Sequence, residues 1–129
     1  MAAPYTLKKL TDVKDSAADF GYGEIQEARF AGKDLEATDT GVSHQRIKPD
    51  QRVPFGHVHE NAEEVYVVIG GSGRAKLDDE IVDLGRLDAL RVAPKVTRCF
   101  EAGPDGLELL AFGPHHKGDG AIIQGWWSD

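Results

Sequence analysis

Short runs of strand-forming residues, broken by glycine or proline about every eight to twelve residues, run through this chain. That rhythm leaves little room for helices and predicts an all-β sandwich or barrel. The clearest run is Val65-Tyr66-Val67-Val68-Ile69, β-branched or aromatic at every position. Before it, Gln26 to Phe30 reads as a short strand ended by Ala31-Gly32-Lys33-Asp34. Leu35 to Ile47 reads as a longer extended stretch, interrupted near Asp39-Thr40-Gly41, and Lys48-Pro49-Asp50-Gln51-Arg52 as a turn. After it, Gly70-Gly71-Ser72-Gly73 reads as a turn, and Arg74 to Leu84 as a hairpin with an acidic tip at Asp78-Asp79-Glu80. Asp88 to Pro94 alternates, with Leu90 and Val92 on one face. Val96 to Ala102 and Leu107 to Phe112 predict a second hairpin around Gly103-Pro104-Asp105-Gly106. Only Val13 to Phe20 has helical spacing, two turns that would put Val13 and Phe20 on one face.

The 129 residues suit one domain that builds its core without disulfides. A formal charge of −7 with no basic cluster argues against nucleic-acid binding. No apolar run approaches the roughly 20 residues of a membrane span. The single cysteine, Cys99, allows no intramolecular disulfide, and Met1-Ala2-Ala3-Pro4-Tyr5 lacks the regions of a signal peptide, so the expectation is a cytoplasmic protein. The tail His115–Asp129 carries Trp126-Trp127, of which at least one is expected to dock on the barrel or on a partner subunit.

The chemistry concentrates in Gly56-His57-Val58-His59-Glu60-Asn61-Ala62-Glu63-Glu64. On a strand, residues i and i+2 point the same way, about 6–7 Å apart. His57 and His59 therefore converge on one point, with Val58 facing away. Glu60-Asn61-Ala62 is long enough to turn the chain back, so Glu63 or Glu64 could face that point from the neighbouring strand. Two imidazoles and a carboxylate are ligands for first-row metals, and an open three-ligand set suits non-haem iron. Tyr66 would share the inward face of Glu64 and offer a hydroxyl to a ligand. In Val42-Ser43-His44-Gln45-Arg46-Ile47 neither face is plainly apolar, and Ser43 and Gln45 mark the face expected to line a pocket.

This pattern resembles the cupin superfamily of small jelly-roll, double-stranded β-helix barrels. The resemblance covers roughly residues 41–113, leaving 1–40 as an N-terminal arm and strands and 114–129 as a tail around a single domain. The first cupin motif is matched by His57-Val58-His59, four residues to Glu64 and six more to Gly71; its leading glycine is absent, position 51 being Gln51. Glu63 with Gly70 is the shorter alternative. In the second motif, around Pro94 to Phe100, the last metal-binding histidine is replaced by Arg98, or by Cys99 one residue along. The resemblance implies a divalent metal, Fe, Mn, Ni or Zn, on His57, His59 and Glu64, or no metal at all.

Arg98 separates two pictures, because a guanidinium stays protonated and cannot ligate a metal. In one it clamps an anionic substrate beside a metal on His57, His59 and Glu64. In the other it pairs with Glu64 in place of the metal's charge. An outward, solvated Arg98 is the third option. The reading that follows is a small-molecule enzyme of oxygenase or isomerase type, acting on an anionic or carbonyl substrate oriented by Tyr66, Arg98 and Gln45. The rival is a metal-free, non-catalytic binding or sensing module. The resemblance also implies a homodimer.

Overall fold

The computed structural model describes residues 4–116 and 118–128. Eight strands carry the architecture: β1 (Gln26–Phe30), β2 (Thr40–Ile47), β3 (Phe55–His59), β4 (Glu64–Leu77), β5 (Glu80–Leu84), β6 (Ala89–Val92), β7 (Arg98–Pro114) and β8 (Gly120–Gln124). All pairings are antiparallel, in the order β1-β2-β7-β3-β8, with β4 alongside β7 and carrying β5 and β6. The all-β expectation holds. Among the described residues helix is limited to one 3₁₀ turn, Leu10–Asp12, and α1, Ser16–Asp19, capped by the Asp15 carboxylate on the Ala17 N–H at 3.0 Å. Val13 and Phe20 do not share a buried face. Val13 is in the core and Phe20 is 76% exposed, because the helix is too short to carry the spacing between them.

Two long strands replace two expected turns. Gly70-Gly71-Ser72-Gly73 does not reverse the chain; β4 runs straight through it, with register shifts against β7 on either side of Gly71. Gly71 has φ +70°, and a Cβ there would lie 1.9 Å from the Gly106 carbonyl oxygen. Glycine is needed because two backbones touch where the ladder is bulged. Likewise Val96 to Ala102 and Leu107 to Phe112 are not two arms of a hairpin. They are two halves of β7, each pairing with a different half of β4. The bulges let both strands bend and curl the sheet around a core of Ile47, Tyr66, Val68, Phe100, Leu107 and Leu109. Each such side chain contributes about 1.5–3 kcal/mol by leaving water.

The tail is also a strand. β8 pairs along the whole of β3, from Phe55 opposite Gln124 to His59 opposite Gly120. Beyond it Trp127 is buried in the core, its ring 4.3 Å from the Arg52 guanidinium and 5.2 Å from that of Arg74. Both arginines also bind Glu101, so the tail is held by packing, cation–π contact and an ion-pair network together.

Candidate functional site

The pleat of β3 brings His57 and His59 to the inner side, ring centroids 5.5 Å apart and planes at 89°. Glu64 does not come from a neighbouring strand, since β4 and β3 are not hydrogen-bonded to each other; both flank β7. Glu60-Asn61-Ala62 therefore carries the chain across the curl of the sheet. Glu64 and Tyr66, two apart on β4, then face the histidines. Glu64 Oε1 lies 3.5 Å from His57 Nε2, 3.3 Å from His59 Nε2 and 2.6 Å from the Tyr66 hydroxyl, which donates to it. The Tyr66 oxygen is also 3.2 Å from His57 Nε2. Ligand atoms of His57, His59 and Glu64 lie within 4.8 Å of one another, the sole such group among the described residues. Glu63 points outward to Arg91.

The three donors fit an ion. Ligands at about 2.0–2.2 Å from a first-row metal sit roughly 3 Å apart when adjacent, close to the separations of Glu64 Oε1 from the two imidazoles. Arg98 occupies the neighbouring place. Its side chain is wholly buried, which rules out the outward arginine. Nη1 lies 3.9 Å from Glu64 Oε1, while Nη2 donates to the Ala93 carbonyl at 3.5 Å. Nε and Nη1 have no hydrogen-bond partner among the described residues. Arg98 pairs with His57 across β3 and β7, so its guanidinium is buried on the same face of the sheet beside Glu64, without lining the cavity. Cys99 Sγ contacts the Val53 carbonyl instead of the histidines, and burial pushes its thiol up to about 11.

Burial would raise the Glu64 pKa, but the hydrogen bonds from His57 and Tyr66 and the charges of both histidines outweigh it and hold the carboxyl at about 2. Burial lowers His57, with Arg98 acting in the same direction and Glu64 opposing, so its imidazole is neutral at pH 7. Burial and the Glu64 charge raise Tyr66 well above its usual value, so the phenol stays protonated and donates. A carboxylate, a neutral imidazole and a phenol share one hydrogen-bonded cluster.

Sequence reasoning missed Asp119. Its carboxylate accepts from the Asn61 N–H at 2.9 Å, the Asn61 side-chain amide at 2.9 Å and the Ala62 N–H at 3.0 Å, fixing the turn between the histidines and Glu64. Oδ2, which accepts from the Ala62 N–H, also lies 3.4 Å from His59 Nδ1, within ion-pair range but without a hydrogen bond between them. A carboxylate at that place is a usual partner of a metal-ligating histidine. Nothing in Gly118-Asp119-Gly120 signals this, since the partner is 60 residues away in sequence.

The cluster opens into a cavity of about 850 Å³ that Gln45, Ser43 and Tyr66 also line. Gln45 Nε2 donates to Ser43 Oγ at 3.0 Å. His44 faces the opposite side, with Nε2 2.5 Å from Glu108 Oε2. His115 and His116 are exposed at the rim of the cavity.

No protein-family model matches the sequence. No curated protein matches it at a significant level. Solved structures do match. A cupin protein from Bacteroides fragilis superposes with a TM-score of 0.70 at 23% identity, covering 91% of this chain and 89% of that one. The polyketide cyclase RemF from Streptomyces resistomycificus gives 0.74 at 19% identity, covering 96% and 87%. Pac13, a nucleoside dehydratase from Streptomyces, gives 0.73 at 13% identity, covering 97% and 93%. The chain therefore has the cupin double-stranded β-helix fold. A candidate His57/His59/Glu64 metal site lies within that fold.

Proposed function

We propose that this protein binds a small molecule in the cavity and acts on it with a divalent first-row metal held by His57, His59 and Glu64. The observation that carries this reading is the convergence of three ligand atoms within 4.8 Å at the wall of a large cavity. Enzymes among the structural neighbours, a cyclase, a dehydratase and a salicylate 1,2-dioxygenase, support a catalytic use of the fold. When bound, such an ion supplies Lewis-acid polarisation or oxygen activation, which suits a reaction of oxygenase or isomerase type on a carbonyl-bearing substrate. Tyr66 holds the inner oxygen of Glu64 and leaves its hydroxyl beside the reacting end of the ligand. Gln45 offers an amide from β2. Arg98, buried beside Glu64 and not part of the cavity lining, does not clamp the substrate.

The test is thermal unfolding with Fe²⁺, Mn²⁺, Ni²⁺ or Zn²⁺ added in turn, because a ligand of the native state raises Tm by mass action. At least one ion should stabilise the wild type and leave the His57→Ala, His59→Ala double variant unmoved. Equal responses in both proteins would remove the site.

The second reading is a metal-free binding or sensing module. One observation favours it: the Arg98 charge stands 3.9 Å from Glu64, where it can take the place of a cation. Under that reading no ion shifts the Tm of either protein.

A further inference from the structure

We infer that the ligand of this cavity is a planar, largely apolar molecule of more than one ring, carrying a carbonyl or phenolic oxygen at the end that meets Tyr66 and the histidines. The inference rests on the reading of the cavity as the ligand site and names what enters it. Size is the first argument. A cavity of about 150 Å³ already takes one benzene ring, and this one measures about 850 Å³.

The distribution of polar groups is the second. At the inner end Glu64, Tyr66, His57 and His59 meet in one hydrogen-bonded polar cluster. Further out the wall is mainly apolar, with Phe20, Phe30, Phe55, Val42 and Ile122, and also carries Gln26, Lys33, His115 and His116. Of the amides that line it, Gln45 donates to Ser43 at 3.0 Å and Gln124 to the Tyr22 hydroxyl at 3.2 Å. A sugar or nucleoside carries hydroxyls along its whole length, and those set against the apolar side chains of this outer part would lose water without gaining partners. A flat aromatic body loses nothing of the kind and buries its faces against phenylalanine.

The third argument is the mouth itself. Phe20, Phe30 and Ile122 are 76%, 57% and 61% exposed, with apolar side chains standing in water around the opening. They are placed to be covered by whatever fills the cavity. This body sets the ligand apart from uridine, which is seen bound to the structurally similar Pac13.

The experiment is an equilibrium titration with two probes, 1,8-dihydroxyanthraquinone and uridine, on wild type and on the double variant Phe30→Ser, Ile122→Ser. Both substituted side chains are more than half exposed, so the core is left intact, and an unchanged Tm verifies this. Titrations run on chelator-treated protein and again after Zn²⁺ addition. The expected result is anthraquinone binding tighter than uridine by about tenfold or more, with the double variant losing about tenfold for the anthraquinone alone. Uridine binding as tightly, an anthraquinone affinity untouched in the double variant, or no anthraquinone binding at all would each overturn the inference. A protein that retains no Zn²⁺ fails the metal reading instead, and the ranking of the probes in the chelated protein still decides this one.

Discussion

At Glu64 a single carboxylate oxygen serves four neighbours: Tyr66 at 2.6 Å, His59 at 3.3 Å, His57 at 3.5 Å and Arg98 at 3.9 Å. That crowding has a pH signature in the metal-free protein. The Glu64 pKa is depressed from 4.5 to about 2, so the unfolded chain takes up this proton first, and stability is lost as pH falls from 4.5 through 2. His57 is lowered from 6.5 by burial, so here too the unfolded state binds the proton more readily, and loss begins below about pH 6.5. Chelator-treated wild type should therefore lose stability in urea melts from just below neutrality, and His57→Gln should flatten the upper part of that slope. Identical slopes would contradict the assignment of His57. Asp119 is tested differently. Asp119→Ala strands the Asn61 and Ala62 N–H groups, and unfolding should weaken by about 1–3 kcal/mol. Asp119→Asn keeps the shape, removes the charge behind His59 and should cost about 10–100-fold in metal affinity. The His-x-His pair and Glu64 were legible in the sequence because their geometry is local or follows a known spacing. Asp119 was not, because its partners come together only when β8 lies along β3. Arg98 could be named but not oriented, since a lone arginine on a strand carries no sign of which side is buried.

At the scale of elements, glycine misleads and then explains. Gly70-Gly71-Ser72-Gly73 and Gly103-Pro104-Asp105-Gly106 carry strong turn signals, yet both lie within strands, at bulges where β4 and β7 come into backbone contact. Composition does not distinguish a turn from a close approach; only the partner strand does. Gly71→Ala should therefore destabilise the protein severely, by about 3 kcal/mol or more, because a Cβ collides with the Gly106 carbonyl in a left-handed backbone. Chemical denaturation checks this, and a loss under about 1 kcal/mol would mean that the two strands can part there. β8 escaped notice for the opposite reason. Its residues are exposed throughout, so Ala121-Ile122-Ile123 shows no alternation. Trp127 was recognisable as a docking residue, and it anchors that strand. Trp127→Ala should cost about 3–5 kcal/mol, and hydrogen exchange should speed up in β8 more than in β2.

For the molecule as a whole, the many short β runs were enough to predict the fold class, and the motif spacing supplied the cupin barrel that the superpositions bear out. Strand order and the identity of the long strands required the structure. Among the described residues β8 pairs with β3 alone, which leaves its other edge without a partner strand. We propose that the protein is a homodimer through its sheet edges. Light scattering should give twice the chain mass, and the single-chain mass at micromolar concentration would contradict it. The central claim is the metal site, and elemental analysis tests it most directly. The wild type and the His57→Ala, His59→Ala variant are reconstituted with Fe²⁺, Mn²⁺, Ni²⁺ and Zn²⁺, freed of excess ion and measured side by side. The expected result is close to one ion per chain in the wild type and none in the variant. Equal, near-zero metal in both would leave Arg98 beside Glu64 in place of a metal cation, and the cavity as a metal-free binding site.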